Sequence, residues 1–157
     1  AYGHFNGSGS LGAVGVDGVQ NKAGNGGAGV ESSITGSALT RAGGGGGGVY
    51  TGGSGNSSWR GLGGTGGGGN GAINNGGQNE HVSATSGTVN TGSGGGGTGT
   101  YHNGATSGSG GSGVCILRYP SGQSINVGAG LTSAGEQTIG SEKYCIITAG
   151  SGTVSWS

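Results

Sequence analysis

The sequence predicts a mostly irregular, all-β fold with essentially no α-helix. The expected form is a bundle of extended, polyglycine II-like rods joined by loops, followed by a small antiparallel β unit. Three observations point there. Glycine supplies 49 of 157 residues while proline supplies one. Gly9, Gly12, Gly15, Gly18, Gly24 and Gly27 keep a single register of three, with Asn21 in the missing slot. No stretch carries a hydrophobic period of 3.6, whereas from Val114 onward short β-branched and aromatic runs alternate with turn signals.

The glycine content excludes a conventional core. Collagen would need abundant proline and a strict triplet, and neither is present. Ordering costs about 1.5 kcal/mol per residue, and glycine loses the most backbone freedom of all. Hydrophobic residues at 28% cannot offset that alone. An ordered state must draw on backbone hydrogen bonds and close backbone packing. Polyglycine II offers both, because its three-residue turn points N–H and C=O groups sideways to neighbours.

The register from Gly9 to Gly27 would reach about 60 Å as one rod, long for a small domain, so a reversal is expected near Asn21 and Lys22. Asparagine tolerates glycine-like backbone angles better than most side chains. Residues 30–40, VESSITGSALT, thin out in glycine and read as an extended, β-like stretch. Six glycines follow at 43–48, where no side chain can pack, so backbone must be buried among backbones. Further tracts lie at 61–71 and 92–99. Less glycine-rich inserts separate the tracts: 49–60, 72–91 and 100–107.

From Val114 the chain changes character. VCILRY reads as a strand stopped at Pro120, and strands are expected at 124–127, 137–139, 144–148 and 153–156. Turn signals at 128–130, 134–135 and 150–152 separate them. Two domains follow: 1–113, the rod bundle with variable loops, and 114–157, the β unit. Cys115 and Cys145 sit in two of the apolar runs. They read either as a disulfide pinning neighbouring strands or as two buried thiols. The disulfide is the expectation, closing a loop worth about 3–4 kcal/mol in the chain-entropy model and implying an oxidising, extracellular compartment.

Charge narrows the function classes. Five basic and five acidic residues cancel, with no basic stripe for nucleic acid and no apolar run long enough for membrane insertion. The acids and histidines are scattered and never reach metal-ligand spacing, so neither a catalytic site, a metal nor a cofactor is expected. Gly-x-Gly matches carry no weight without a strand-to-helix context. The candidate contact residues lie in the inserts: Tyr50, Trp59, Arg60, Asn74, Asn75, Tyr101 and His102. Aromatic and arginine side chains dominate binding hot spots. Trp59 could equally fold back and cover a rod, and Trp156 reads as core or subunit contact.

The stretches SSITGSALTRAGGGGGGVYTGGSG, GGTGGGGNGAINNG, VNTGSGGGG and GGSGVCILRYP resemble the glycine-rich domain of bacteriophage tail fibres and related receptor-binding adhesins, over roughly residues 9–120. The resemblance implies a module at the virion surface, in which glycine-rich scaffold carries variable loops that meet a host-cell receptor. Tracts 43–48, 66–69, 94–97 and 110–119 match the scaffold. Cys115 departs from the pattern, standing where an aliphatic residue is expected. A non-catalytic extracellular binding module is therefore the expected function, with loops 50–60, 73–82 and 101–106 as its surface. The alternative is a filament subunit whose partners are copies of itself, joined head-to-tail. Either way a homo-oligomer or filament is expected, on the virion surface or outside the cell.

Overall fold

The computed structural model describes residues 15–19, 22–51, 57–74, 81–99 and 105–157. The chain divides into two compact units: Ala1–Glu31 with Thr40–Ser112, and Ser32–Leu39 with Gly113–Ser157. Among the described residues there is no α-helix, only one 3-10 turn at Ser57–Trp59, and the regular structure is a set of small, mostly antiparallel strands. The coarse expectation of an all-β and irregular fold is what the structure has. No helix among the described residues is long and apolar enough to cross a membrane.

The first unit is held chiefly by backbone. Its stretches 23–29, 42–48, 61–64, 68–72, 83–88, 93–99 and 105–112 belong to no helix or strand. Their hydrogen bonds recur every third residue. Ala23, Gly26 and Gly29 donate to the carbonyls of Trp59, Leu62 and Thr65, each at 2.8 Å. Gly43, Gly46 and Val49 donate to Gly66, Gly69 and Ala72. The intervening Gly44 and Gly47 donate to Gly27 and Gly24 instead. Carbonyls of Gly44 and Gly47 accept from Gly64 and Gly61, and those of Gly43 and Gly46 accept from Gly94 and Gly97. A sheet alternates every two residues and serves two neighbours. Here the three-residue recurrence gives 42–48 four bonded neighbours.

That arrangement explains the six glycines. All of residues 43–48 are buried, as the sequence implied. A Cβ on Gly45 would stand 1.9 Å from the carbonyl oxygen of Gly95, and one on Gly46 would stand 2.2 Å from that of Gly61. Both obstacles are backbone, so no rotamer change relieves them. The chain also reverses where expected: Val19 and Lys22 exchange both backbone bonds, and Val16 donates to Asn25. The side-chain core is small: Ala23, Val49 and Ile73, with Trp59 packed against it. Two short strands, β3 (Val49–Tyr50) and β4 (Ile73–Asn74), pair in parallel through that core. Before them in the chain, the stretch read as extended is a hairpin, β1 (Val30–Ser32) and β2 (Leu39–Arg41), because Gly36 turns it at φ 94°.

The second unit carries the expected β character. β5 (Cys115–Pro120), β8 (Glu142–Gly150) and β7 (Leu131–Ile139) form an antiparallel sheet in the order β5-β8-β7. β6 (Ile125–Val127) pairs with β9 (Val154–Trp156). Gly140, at φ 57°, opens the two-residue loop between β7 and β8, where primed hairpin turns require positive φ. Two expectations are corrected here. Ala134 and Gly135 do not separate strands. They lie within β7, between the pairs Ser133–Ile147 and Glu136–Cys145, where Ala134 and Gly135 together face Ile146 alone, so the turn signal marks a bulge.

The second correction is the disulfide: both cysteines are free, Cys115 exposed and Cys145 buried. They do lie on neighbouring strands, but Cys115 pairs with Ile147 and Cys145 with Leu117. They are diagonal neighbours, separated by roughly 7 Å, whereas a disulfide needs Cβ atoms about 3.8 Å apart.

Alanine at position 45 should therefore destabilise the first unit by about 3 kcal/mol or more. Alanine at Gly113, where a Cβ meets nothing within 4 Å, should change stability by less than about 0.5 kcal/mol. Denaturant titration of the two variants checks the contrast. Similar midpoints would refute the claim that backbone contact around Gly45 fixes its identity.

Candidate functional site

The described boundaries of the inserts come together at one end of the first unit. Val19 bonds Lys22; Thr51 donates to the carbonyl of Asn74; Ile73 and Val82 exchange bonds. A Cβ on Gly99 would touch Val49 and Tyr50, and the Thr98 hydroxyl donates to the carbonyl of Ala105. These residues flank 20–21, 52–56, 75–80 and 100–104, so each of those stretches begins and ends there. The other end closes with short turns at 65–67 and 89–92, near the bonds of Gly29 to Thr65, Ala42 to Thr91 and Gly92 to Ser112. The boundaries of these stretches therefore share one location on the scaffold, set by the direction in which the bonded stretches run.

The candidate contact residues are placed unevenly. Tyr50 ends β3 and is half-buried; its backbone register partner is Asn74. Asn74 is 1% exposed, so its side chain offers almost no surface. Trp59 closes the 3-10 turn and packs against Ala23, Val49 and Ile73, while its carbonyl accepts from Ala23. In a chain this poor in apolar area, a tryptophan against three small side chains is a large share of the core. Arg60 follows it and is half-exposed. Asn75, Tyr101 and His102 lie outside the described residues. The structure thus brings Tyr50, Trp59, Arg60 and Asn74 to one end, with Trp59 and Asn74 turned inward.

Residues that sequence reasoning passed over stand beside them. Lys22 and Asn25 lie on the first stretch, and the Asn25 Oδ1 accepts the Leu62 N–H at 2.8 Å. The reversal expected near Asn21 was the signal that could have drawn attention to Lys22. Among the described residues no group of three or more His, Cys, Asp or Glu side chains is placed to hold a metal.

The second unit contains the most strongly perturbed titratable pair. The buried Tyr119 hydroxyl donates to Glu136 Oε1 at 2.6 Å, and its ring meets Trp156 edge-on, centroids 4.7 Å apart. Burial pushes the Tyr119 phenol upward, reinforced by the bond to Glu136 and that carboxylate's charge. The same bond holds the Glu136 carboxyl below its ordinary value against an opposing desolvation effect, helped by the Ile125 N–H and by Lys143. Lys143 Nζ stands 3.6 Å from Glu136 Oε1, and Arg118 pairs with Glu142. This cluster ties β5, β6, β7 and β9 together. It is a structural device, since the tyrosine has almost no exposed surface.

No protein-family model, curated protein or solved structure matches this chain.

The pair makes the second unit pH-sensitive at both limits. Glu136 titrates lower when folded, so its contribution is full above the unfolded carboxylate value of about 4.3 and is lost as pH falls through the folded value. Tyr119 titrates higher when folded, so its contribution is full below about 10 and is lost as pH rises beyond it. Near-ultraviolet circular dichroism along a pH series should show both limbs. Glu136→Gln should flatten the acid limb, and Tyr119→Phe the alkaline one. An acid limb identical to wild type in Glu136→Gln would mean another group titrates.

Proposed function

We propose that this chain is a non-catalytic, extracellular binding module of the tail-fibre type. In this reading the first unit is a bundle of polyglycine II-like rods, and inserts 50–60, 73–82 and 101–106 form the surface that meets a host-cell receptor. The observation that carries the reading is the convergence of the insert boundaries on one end. Loops that emerge together from a rigid scaffold form one contact surface, and function concentrates on such loops. The recurrence of hydrogen bonds every third residue supports the rod geometry, because polyglycine II has three residues per turn and bonds outward to neighbours. The resemblance of the glycine tracts to tail-fibre domains supplies the setting, at the virion surface or outside the cell.

A second reading is favoured by one feature of the second unit. β5 is an edge of its sheet and, among the described residues, pairs only with β8. An unpaired edge is a template for a neighbour's strand, and repeated addition would make the chain a filament subunit. Arg118 and Pro120 on that edge oppose this, since charge and proline blunt edges. Negative-stain microscopy of the purified chain separates the readings: long uniform fibres favour the filament, compact particles the tip.

The receptor reading is tested by replacing residues 75–80, and separately 100–104, with glycine-serine sequence of equal length. Adhesion of the isolated protein to host cells should fall about tenfold or more in at least one replacement, equivalent to about 1.4 kcal/mol, while the melting temperature stays within a few degrees. Unchanged adhesion in both would remove these inserts from the contact surface.

A further inference from the structure

The charges of the two units are arranged differently. In the second unit all four described charged side chains are in ion pairs, Arg118 with Glu142 and Lys143 with Glu136. In the first unit Lys22 and Arg60 form no ion pair among the described residues, yet they line the same groove. That groove is about 430 Å³ and is completed by Asn25, Ser58 and Leu62. Its volume falls in the range of small-molecule sites. Among the described residues it contains two cations and no carboxylate. Asp17 lines only an adjoining recess of about 150 Å³ that shares Lys22 and Asn25.

The groove is built as well as charged. Asn25 is fixed on both sides: its carbonyl accepts the Val16 N–H at 2.9 Å and its Oδ1 accepts the Leu62 N–H. That commits the acceptor half of the amide and leaves its N–H donors for a ligand. Every charged or amide group so offered is a donor. Leu62, more than half exposed, gives the groove an apolar ledge beside these donors, and Val16 and Val19, also more than half exposed, line the adjoining recess. Donors that converge next to apolar surface match a ligand with an oxyanion on a compact body that has C–H faces.

We propose that the groove formed by Lys22, Asn25, Ser58, Arg60 and Leu62 binds an oxyanion-bearing sugar. The oxyanion lies between the Lys22 ammonium and the Arg60 guanidinium, which can clamp a carboxylate or phosphate with two parallel bonds. The sugar's C–H face rests on Leu62. A carboxylated and a phosphorylated sugar present the same chemistry to these groups. The proposal deepens the contact-surface reading by giving Arg60 a ligand, and it can stand without it, because groove occupancy is read apart from adhesion.

The test is titration of the full chain with glucuronate, glucose 6-phosphate and glucose, following the amide resonances of Lys22, Asn25 and Leu62. At least one acidic sugar should shift them saturably, and glucose should not. Saturation by glucuronate alone assigns a carboxylated ligand, and by glucose 6-phosphate alone a phosphorylated one. Lys22→Gln and Arg60→Gln should each weaken binding roughly fivefold or more, and added salt should weaken it further. Lys22 is exposed, so its variant keeps the fold even if Arg60→Gln does not. No saturation by either acidic sugar, equal affinity for glucose, or unchanged affinity in Lys22→Gln overturns the proposal. Saturable binding without cell adhesion leaves the groove standing and removes the receptor reading.

Discussion

The structure depends on the distance at which backbones meet in the first unit. Where a Cβ on Gly45 would lie 1.9 Å from one carbonyl oxygen, and a Cβ on Gly64 1.9 Å from that of Gly27, the chain has no room for any side chain. Close approach allows each stretch to bond to several others rather than to the two a sheet strand serves. A buried N–H or C=O without a partner costs free energy comparable to a lost hydrogen bond. With 42–48 surrounded by four bonded stretches, those groups are satisfied inside the protein. Glycine loses the most backbone entropy on ordering, and the bonds it permits are individually modest, about 1 kcal/mol net. Stability therefore has to come from many of them acting together, so a single misplaced methyl is felt by several neighbours.

The two units resist disorder by different means. The first has three buried apolar side chains in its core cluster and an added tryptophan. The second uses cross-strand pairing and a hydrogen-bonded Tyr119–Glu136 pair, with Trp156 against the ring. Backbone bonding is insensitive to pH between the limits at which side chains titrate. The second unit, whose charges are paired and whose phenol is buried, is the part that acid or alkali reaches first.

Much of the fold was legible in the sequence, for identifiable reasons. Six consecutive glycines leave backbone burial as the only use of 43–48. A register of three with Asn21 in one slot located the reversal between Val19 and Lys22. Alternating β-branched runs located β5 and β8. Partner choice was not legible, because glycine tracts carry no side chains to distinguish one neighbour from another: nothing in the sequence says that Gly44 donates to Gly27 while Gly43 donates to Gly66. Register failed at the cysteines for a related reason. A two-residue offset separates a bondable pair from a diagonal one, and it is set by the unbroken β5–β8 register, which pairs Cys115 with Ile147 and Cys145 with Leu117. At the candidate site, Trp59 was visible but its direction was not, since an aromatic side chain in a glycine-rich chain can serve a partner or a core equally well.

Close packing also decides where variation can occur. Positions whose Cβ would strike backbone can be nothing but glycine, so the flanks of the buried stretches cannot acquire new chemistry. Side chains with chemistry to offer are confined to the ends of the stretches and to residues on the outside of the unit. Lys22, Asn25 and Arg60 satisfy both conditions: they stand close to where the chain leaves the bonded stretches, and among the described residues no carboxylate pairs with the two cations. In a chain where only 6% of residues are charged, two cations on one groove, without an ion pair among the described residues, are a concentrated feature. A scaffold that spends its interior on backbone leaves recognition to such sparse positions. It can gain or lose a ligand by changing a few side chains without disturbing the bonds that hold it together.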